Sequence, residues 1–259
     1  MNGIKKINNA PQTVEKALNI LEAFENSANS LGVTELSRKL KINKSTTYRI
    51  LQVLLKKGYI NQDAETNKYS LGYRILKIGG AILSRIQLRE IARVHLERLA
   101  LEMSQTVRLA ILDALEVVYI DHVEGKDPIR LHLQIGSRGP LHCTAAGKSI
   151  LAFLKETEKE NILAHYNLKA MTSKTITNIE NLKTHLKMIE KNGYSFCDEE
   201  YTKGVRAIGA PIFNFETRVI GSIVVAAPTF RMKLKDVPTI GLEVTKSGLE
   251  ISKKMGCPI

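Results

Sequence analysis

Apolar residues recur at helical spacing through the first hundred positions, and the period changes at about Thr106. From about Thr13, the residues Val14, Ala17, Leu18, Leu21 and Phe24 make the buried stripe of a first helix, which the polar run from Asn26 to Ser30 ends. Val33, Leu36 and Leu40 mark a second helix. Gly32 is an acceptable N-cap for it, and Glu35, three residues on, stands where a capping-box carboxylate would. Only Lys41 to Asn43 separate this helix from a third pattern, Asn43 to Lys57. At about 100° per residue, Ser45, Arg49, Gln52 and Lys56 fall in one narrow sector of that third helix, with Thr47, Ile50, Leu51 and Leu54 diametrically opposite. One edge is dry and the other is polar.

Lys41 sits where a left-handed residue, usually glycine, is common between two such helices, at roughly a kcal/mol or more if it adopts that conformation. Asn43 or Ser45 then caps the third helix and aims free backbone N–H groups at a phosphate. Taken alone, the pair reads as an ordinary helical hairpin with a solvated basic face. The next fourteen positions change that reading: Gly58 to Gln62 and Asn67 to Leu71 are β-prone runs around a polar turn, Asp63 to Thr66, as in a hairpin wing. Three helices and a wing make a winged helix-turn-helix.

Two further helical patterns come after the wing, Tyr73 to Leu83 and Leu88 to Met103, with Gly79-Gly80 able to kink or separate them. The first has an apolar face, Ile75, Leu76, Ile78, Ile82 and Leu83, too wide for a lone solvated helix, so a second chain is expected to cover it. Beyond Thr106, β-rich runs at Thr106 to Leu112, Val117 to Val123 and Ile129 to Ile135 precede helices at about Thr144 to Leu154, Glu156 to Tyr166 and Ile179 to Asn192. Strands at Tyr194 to Cys197, Ala207 to Phe213 and Val219 to Ala226 come next, then a last helix from about Val237 to Met255. This order predicts an α+β domain with helices flanking an antiparallel sheet. The expected division is a flexible arm over 1–12, a winged helix-turn-helix over 13–74, a linker helix over 75–87 and a second domain over 88–259.

Charge sharpens the picture. The chain of 259 residues carries a net charge of +12, and residues 1–75 hold 12 Lys and Arg against 6 Asp and Glu. That surplus makes the amino-terminal part more than twice as charge-dense as the rest, which favours an anionic polymer as its partner. The amino terminus lacks the apolar core of a secretion signal, and the longest apolar stretch, near Val219 to Ala227, is far below the roughly 20 residues of a membrane span, so a cytoplasmic location is expected. Three cysteines, Cys143, Cys197 and Cys257, at wide spacing suggest neither a disulfide framework nor a zinc site.

The wing's end Tyr69-Ser-Leu-Gly72, the segment Pro140-Leu-His-Cys-Thr-Ala-Ala-Gly-Lys-Ser-Ile-Leu-Ala152, the stretch Gly193-Tyr-Ser-Phe-Cys-Asp-Glu-Glu200 leading to Gly204-Val-Arg-Ala-Ile-Gly-Ala-Pro211, and Gly221-Ser-Ile-Val-Val-Ala-Ala-Pro228 together resemble the IclR family of bacterial transcription regulators. The likeness runs collinearly over about residues 12–256. It implies a winged-helix DNA-binding domain, a linker helix and a GAF-like effector-binding domain, in proteins that dimerise through the DNA-binding half, often pair into tetramers and bind small organic acids. Matching the pocket motifs residue by residue implies that Leu131, Gly139, Ala145, Ala146, Cys197, Ala207, Val224 and Ala226 surround the effector. Ala207, Val224 and Ala226 depart from relatives with polar side chains there, which suits a ligand with an apolar body and one carboxylate. The blander alternative is that these small residues only pack sheet against helix. Small residues at the start of the helix, Thr144 to Ala146, let an anion approach free N–H groups, with the Thr144 hydroxyl and Cys143 thiol as further donors.

Other chemistry is weak. Gly147-Lys148-Ser149 lacks the glycine a phosphate loop requires, since His142 stands there. Cys143 beside His142, with His122 elsewhere, reads as packing rather than a thiol nucleophile and its base. Asp198, Glu199 and Glu200 read as a solvated acidic turn rather than metal ligands, and His132, His142 and His165 lack metal-ligand spacing. No catalytic residue, metal or cofactor is expected. The resulting expectation is a ligand-responsive regulator reading a near-palindromic operator as a dimer. Ser45, Thr46, Tyr48, Arg49 and Gln52 enter the major groove, and Lys44, Lys56 and Lys68 meet phosphates or the adjacent minor groove. The rivals are a small-molecule enzyme with a basic domain used only for localisation, and a nucleoid protein that binds without preference.

Overall fold

A computed structural model of the chain describes residues 12–25, 30–83, 87–126 and 134–258, and divides into two compact units between Arg85 and Ile86. The expected arm up to residue 11, most of the polar run from Asn26, most of the strand expected over Ile129 to Ile135, and Leu131 fall outside the described residues.

In the first unit, α1 (Gln12–Glu22), α2 (Val33–Leu40) and α3 (Lys44–Lys56) precede a hairpin of β1 (Ile60–Gln62) and β2 (Tyr69–Leu71). α2 begins where its sequence signals it: the Gly32 N–H donates to Glu35 Oε2 at 2.6 Å, which also holds the Glu35 carboxyl below its ordinary value. It ends on Lys41 in the left-handed region (φ 53°), so the strain expected there is present, and the Ser37 hydroxyl supports the turn by donating to Ile42 O at 2.6 Å. Asn43, not Ser45, is the N-cap of α3, through its carbonyl: Thr47 donates to it from both its N–H and its hydroxyl. The buried core joins Ile20, Phe24, Leu36, Ile50, Leu51, Leu54, Ile60 and Tyr69.

Two details differ from the sequence pattern. Val14 and Leu18, placed in the buried stripe of α1, are 56% and 53% exposed, and Ile20 is buried instead. The helix is turned so that its inner edge runs through Ala17, Ile20 and Ala23, leaving an apolar pair outside. Leu31 also pairs with Tyr69 through two backbone hydrogen bonds of 2.9 Å, so the wing gains a third edge that no β-prone run announces. After the wing, α4 (Arg74–Leu83) runs unbroken through Gly79 and Gly80, and Tyr73, Leu76 and Ile78 are exposed.

The second unit opens with α5 (Gln87–Met103). Among the described residues its antiparallel sheet has six strands, β3 (Thr106–Asp113), β4 (Glu116–Val123), β5 (Arg138–Pro140), β6 (Ser195–Asp198), β7 (Val205–Phe213) and β8 (Val219–Pro228), in the order β5-β4-β3-β8-β7-β6. α6 (Ala145–Phe153) and α8 (Ile179–Asn192) cover one face, with α7 (Glu156–Leu163) beside them; α5 and α9 (Val237–Lys254) cover the other. A bulge opposite Leu109 and Ala110 reverses the alternation of β4, so Asp121 turns toward α5, where Arg89 (3.2 Å) and Arg93 (3.1 Å) neutralise it. β5 has no alternating pattern to announce it; Arg138, ion-paired with Glu116 (2.6 Å) and Asp113 (2.8 Å), ties it to the hairpin it extends. α7 stops three residues short of Tyr166, whose hydroxyl instead accepts the Leu141 N–H at 2.7 Å.

Candidate functional site

α3 presents its polar edge as its periodicity requires. Lys44, Ser45, Tyr48, Arg49 and Lys56 are exposed, Thr46 and Gln52 are half-buried, and Thr47, Ile50, Leu51 and Leu54 are buried. Two of the sequence-predicted side chains have partners within the fold. The Gln52 amide reaches toward the Tyr69 hydroxyl at 3.4 Å, and Lys68 lies 3.6 Å from Glu35, so the wing lysine is drawn toward the carboxylate that caps α2. Of the remainder, Lys44, Ser45, Tyr48, Arg49 and Lys56 are exposed donors and cations beginning at the open N-terminal turn of α3, with Thr46 half-buried among them.

In the second unit the sheet register brings the expected pocket residues together. Cys197, Ala207, Ala226 and Thr106 are successive partners across β6, β7, β8 and β3, and two residues along lies a parallel row, Ser195, Gly209, Val224, Arg108 and His122. Directly opposed residues of an antiparallel pair point to the same face, so both rows face α6. The start of α6 rests on them. Ser195 Oγ donates to Ala145 O at 2.6 Å, the Cys197 thiol donates to Cys143 O at 3.0 Å, and a Cβ on Gly209 would meet Ala145 O at 2.9 Å. A side chain there would lift the helix off the sheet. Gly139 plays the same part at β5, where an added Cβ would lie 3.2 Å from Thr144 Cγ2 and 3.6 Å from Tyr119 Cε2.

Several expected side-chain roles change. The Thr144 hydroxyl is not a spare donor: it donates to Pro140 O at 2.7 Å and accepts the Gly147 N–H at 3.0 Å as the N-cap of α6. Burial pushes the Cys143 thiol up to about 12 and Cys197 up to about 11, so neither is a thiolate at neutral pH. His142 is held by Lys169 O at 3.0 Å and by an edge-on contact with Tyr166. The acidic turn is not simply solvated. Glu200 is buried with Lys148, while Asp198 pairs with Arg206 (2.6 Å) and Lys174 (2.9 Å), and Glu199 with Lys174 (2.7 Å). Lys148, the residue that invited a phosphate-loop reading, is fully buried against Glu200, Phe196 O and His185. Among the described residues no cluster of His, Cys, Asp and Glu could hold a metal ion.

The polar groups on this face that the motifs do not reach are Thr106, Arg108, Tyr119 and His122. Their signal in the sequence is an arginine at an inward position of an apolar strand. Arg108 is 9% exposed, with its guanidinium 5.8 Å from the centre of the Tyr119 ring. Burial pushes the Tyr119 phenol up to about 12 and pulls Arg108 below its ordinary value, yet arginine starts so far above neutrality that it remains a cation.

Among the described residues no helix is long and apolar enough to cross a membrane. Residues 13–64 match the IclR helix-turn-helix domain, and residues 80–253 match the C-terminal domain of the bacterial transcriptional regulator IclR. The HTH-type transcriptional regulator XynR of Escherichia coli is 34% identical over 95% of this chain and 98% of its own length. Among solved structures, the IclR of Thermotoga maritima superposes with a TM-score of 0.83 at 32% identity, covering 95% of this chain and all of that one. An IclR homologue of Microbacterium hydrocarbonoxydans, complexed with 4-hydroxybenzoate, shares the fold at 20% identity and a TM-score of 0.80, over 94% and 98% of the two chains. With both halves matched in order, the chain belongs to the IclR family of bacterial transcription regulators, DNA-binding proteins with a C-terminal effector-binding domain rather than enzymes.

Proposed function

We propose that this regulator reads a near-palindromic operator through α3, with Arg49 and Gln52 on base edges, Ser45, Thr46 and Tyr48 beside them in the major groove, and Lys44, Lys56 and Lys68 on the phosphates. The observation that carries the reading is the division of α3 into a wet edge and a dry one, with the dry edge anchored on Leu36, Ile60 and Tyr69. A cytoplasmic homodimer is the form proposed to act, because α1 and α4 both leave apolar side chains exposed (Val14, Leu18, Leu76 and Ile78) and a two-fold protein suits a two-fold site.

The second unit is proposed to bind a small carboxylate effector whose occupancy alters operator affinity. Cys197, Ala207, Val224 and Ala226 form the floor, and Gly139, Cys143, Thr144, Ala145 and Ala146 the adjoining wall, with Leu131 assigned to the same site from the motif alone. The small, mostly apolar floor suits a ligand with an apolar body, and the 4-hydroxybenzoate bound by the Microbacterium homologue has that chemistry. Genomic selection of bound fragments tests the DNA reading: a recurrent two-fold motif is expected with the intact protein, and enrichment without any shared motif would support the nucleoid alternative instead.

A further inference from the structure

We propose that Thr106 is a specificity-determining residue of the effector site: its hydroxyl bonds a second oxygen of the ligand, remote from the acid group, so the preferred effector is a hydroxy or oxo acid. The inference rests on the effector reading and adds to it a selection step at the β3 end of the floor. Thr106 closes the row Cys197, Ala207, Ala226, Thr106 and faces α6 with the other three. It is 5% exposed, and its hydroxyl has no hydrogen-bond partner among the described residues.

The polar side chains around it are committed. The Cys197 thiol donates to Cys143 O at 3.0 Å, Ser195 Oγ donates to Ala145 O at 2.6 Å, and the Thr144 hydroxyl is spent on Pro140 O and the Gly147 N–H. Arg108 is held beside Tyr119. A hydroxyl at a buried, inward position of an apolar sheet costs free energy unless it is hydrogen-bonded, and valine has nearly the same shape without that cost. Packing alone therefore does not account for threonine here, whereas a bond made when ligand is present does. Ala226 directly opposite and Ala207 beyond it are small, so an apolar body can lie over them with its distal oxygen at Thr106. A hydroxyl both donates and accepts, which suits an alcohol and a ketone alike.

The test measures binding to the full-length protein by calorimetry, using acids paired with analogues that lack the second oxygen: 4-hydroxybenzoate with benzoate, 4-hydroxybutanoate with butanoate, and 4-oxopentanoate with pentanoate. Wild type is expected to favour the oxygenated member of at least one pair by roughly tenfold or more, because a site built to bond an oxygen rejects the analogue without it. Thr106→Val is expected to bind both members of that pair within about threefold of each other, with the analogue bound as in wild type, and to melt no lower than wild type in the absence of ligand. Thr106→Ser keeps the hydroxyl and is expected to keep most of the preference. Thr106→Ala provides the same reading should the valine variant fail to fold. A preference undiminished in Thr106→Val, or no preference in wild type, overturns the role of Thr106 and leaves the effector reading standing. Equal loss of both members in the variant places Thr106 on the acid group and overturns the proposal too. Failure of every acid to bind wild type overturns the effector reading as well.

Discussion

At the residue scale, Arg49 and Leu51 stand two positions apart on α3 and do opposite work. Arg49 is exposed and contributes nothing to the core, whereas Leu51 is fully buried. Arg49→Ala is expected to weaken operator binding by about 1–3 kcal/mol with the melting temperature unchanged. Gel-shift and thermal-unfolding measurements on one preparation check both halves. A different dependence belongs to Lys148, Glu200 and His185. Removing Glu200 alone strands a buried ammonium, so Glu200→Ala is expected to cost about 3–5 kcal/mol in urea unfolding, while Lys148→Met with Glu200→Leu loses much less.

His185 beside Lys148 is pushed down to about 4, by burial first and by the lysine second, from an ordinary 6.5. The unfolded chain therefore binds a proton that the folded chain refuses between about pH 6.5 and 4. Its contribution to stability is fully present above that window and is lost as pH falls through it. The melting temperature of wild type is expected to drop across this range, and His185→Gln to drop less; an unchanged slope in the variant would remove His185 as a cause.

At the element scale, the helix-turn-helix was legible because its helices have one wet and one dry edge, a contrast written directly into residue order, whereas the long strands β3, β7 and β8 are buried on both faces and were legible as apolar, β-branched runs. α2 and α3 derive from the first pattern, with the Glu35 cap and Lys41 marking the bounds of α2, and so does α8. What was not legible depends on distant partners. β5 is three residues, Arg138, Gly139 and Pro140, with no alternation, and exists because β4 offers an open edge and Glu116 a counter-charge. Glu200 looks like its acidic neighbours until Lys148, 52 residues away, takes it into the interior. Arg108 sits at an inward position of β3, and only the register with Val224 and His122 shows what surrounds it. The dry edge of α3 carries the unit: Leu51→Ala is expected to lower its stability by about 2–5 kcal/mol, read by circular dichroism on heating, where loss below about 1 kcal/mol would show the helix to be held some other way.

At the scale of the whole molecule, the charge surplus in residues 1–75 and the apolar side chains left exposed on α1 and α4 point the same way, toward a dimer on DNA. Leu76→Lys is expected to shift the mass measured by light scattering toward the monomer and to abolish cooperative operator binding. A dimer that persists unchanged would place the interface elsewhere. The most direct test of the account is a fluorescence-anisotropy titration of the selected operator and a scrambled duplex with wild type and Arg49→Ala, at two salt concentrations. The account predicts tight binding of the operator by wild type, weaker binding by the variant, and a preference between the two duplexes that shrinks in the variant. Equal affinity of wild type and variant for both duplexes would contradict it.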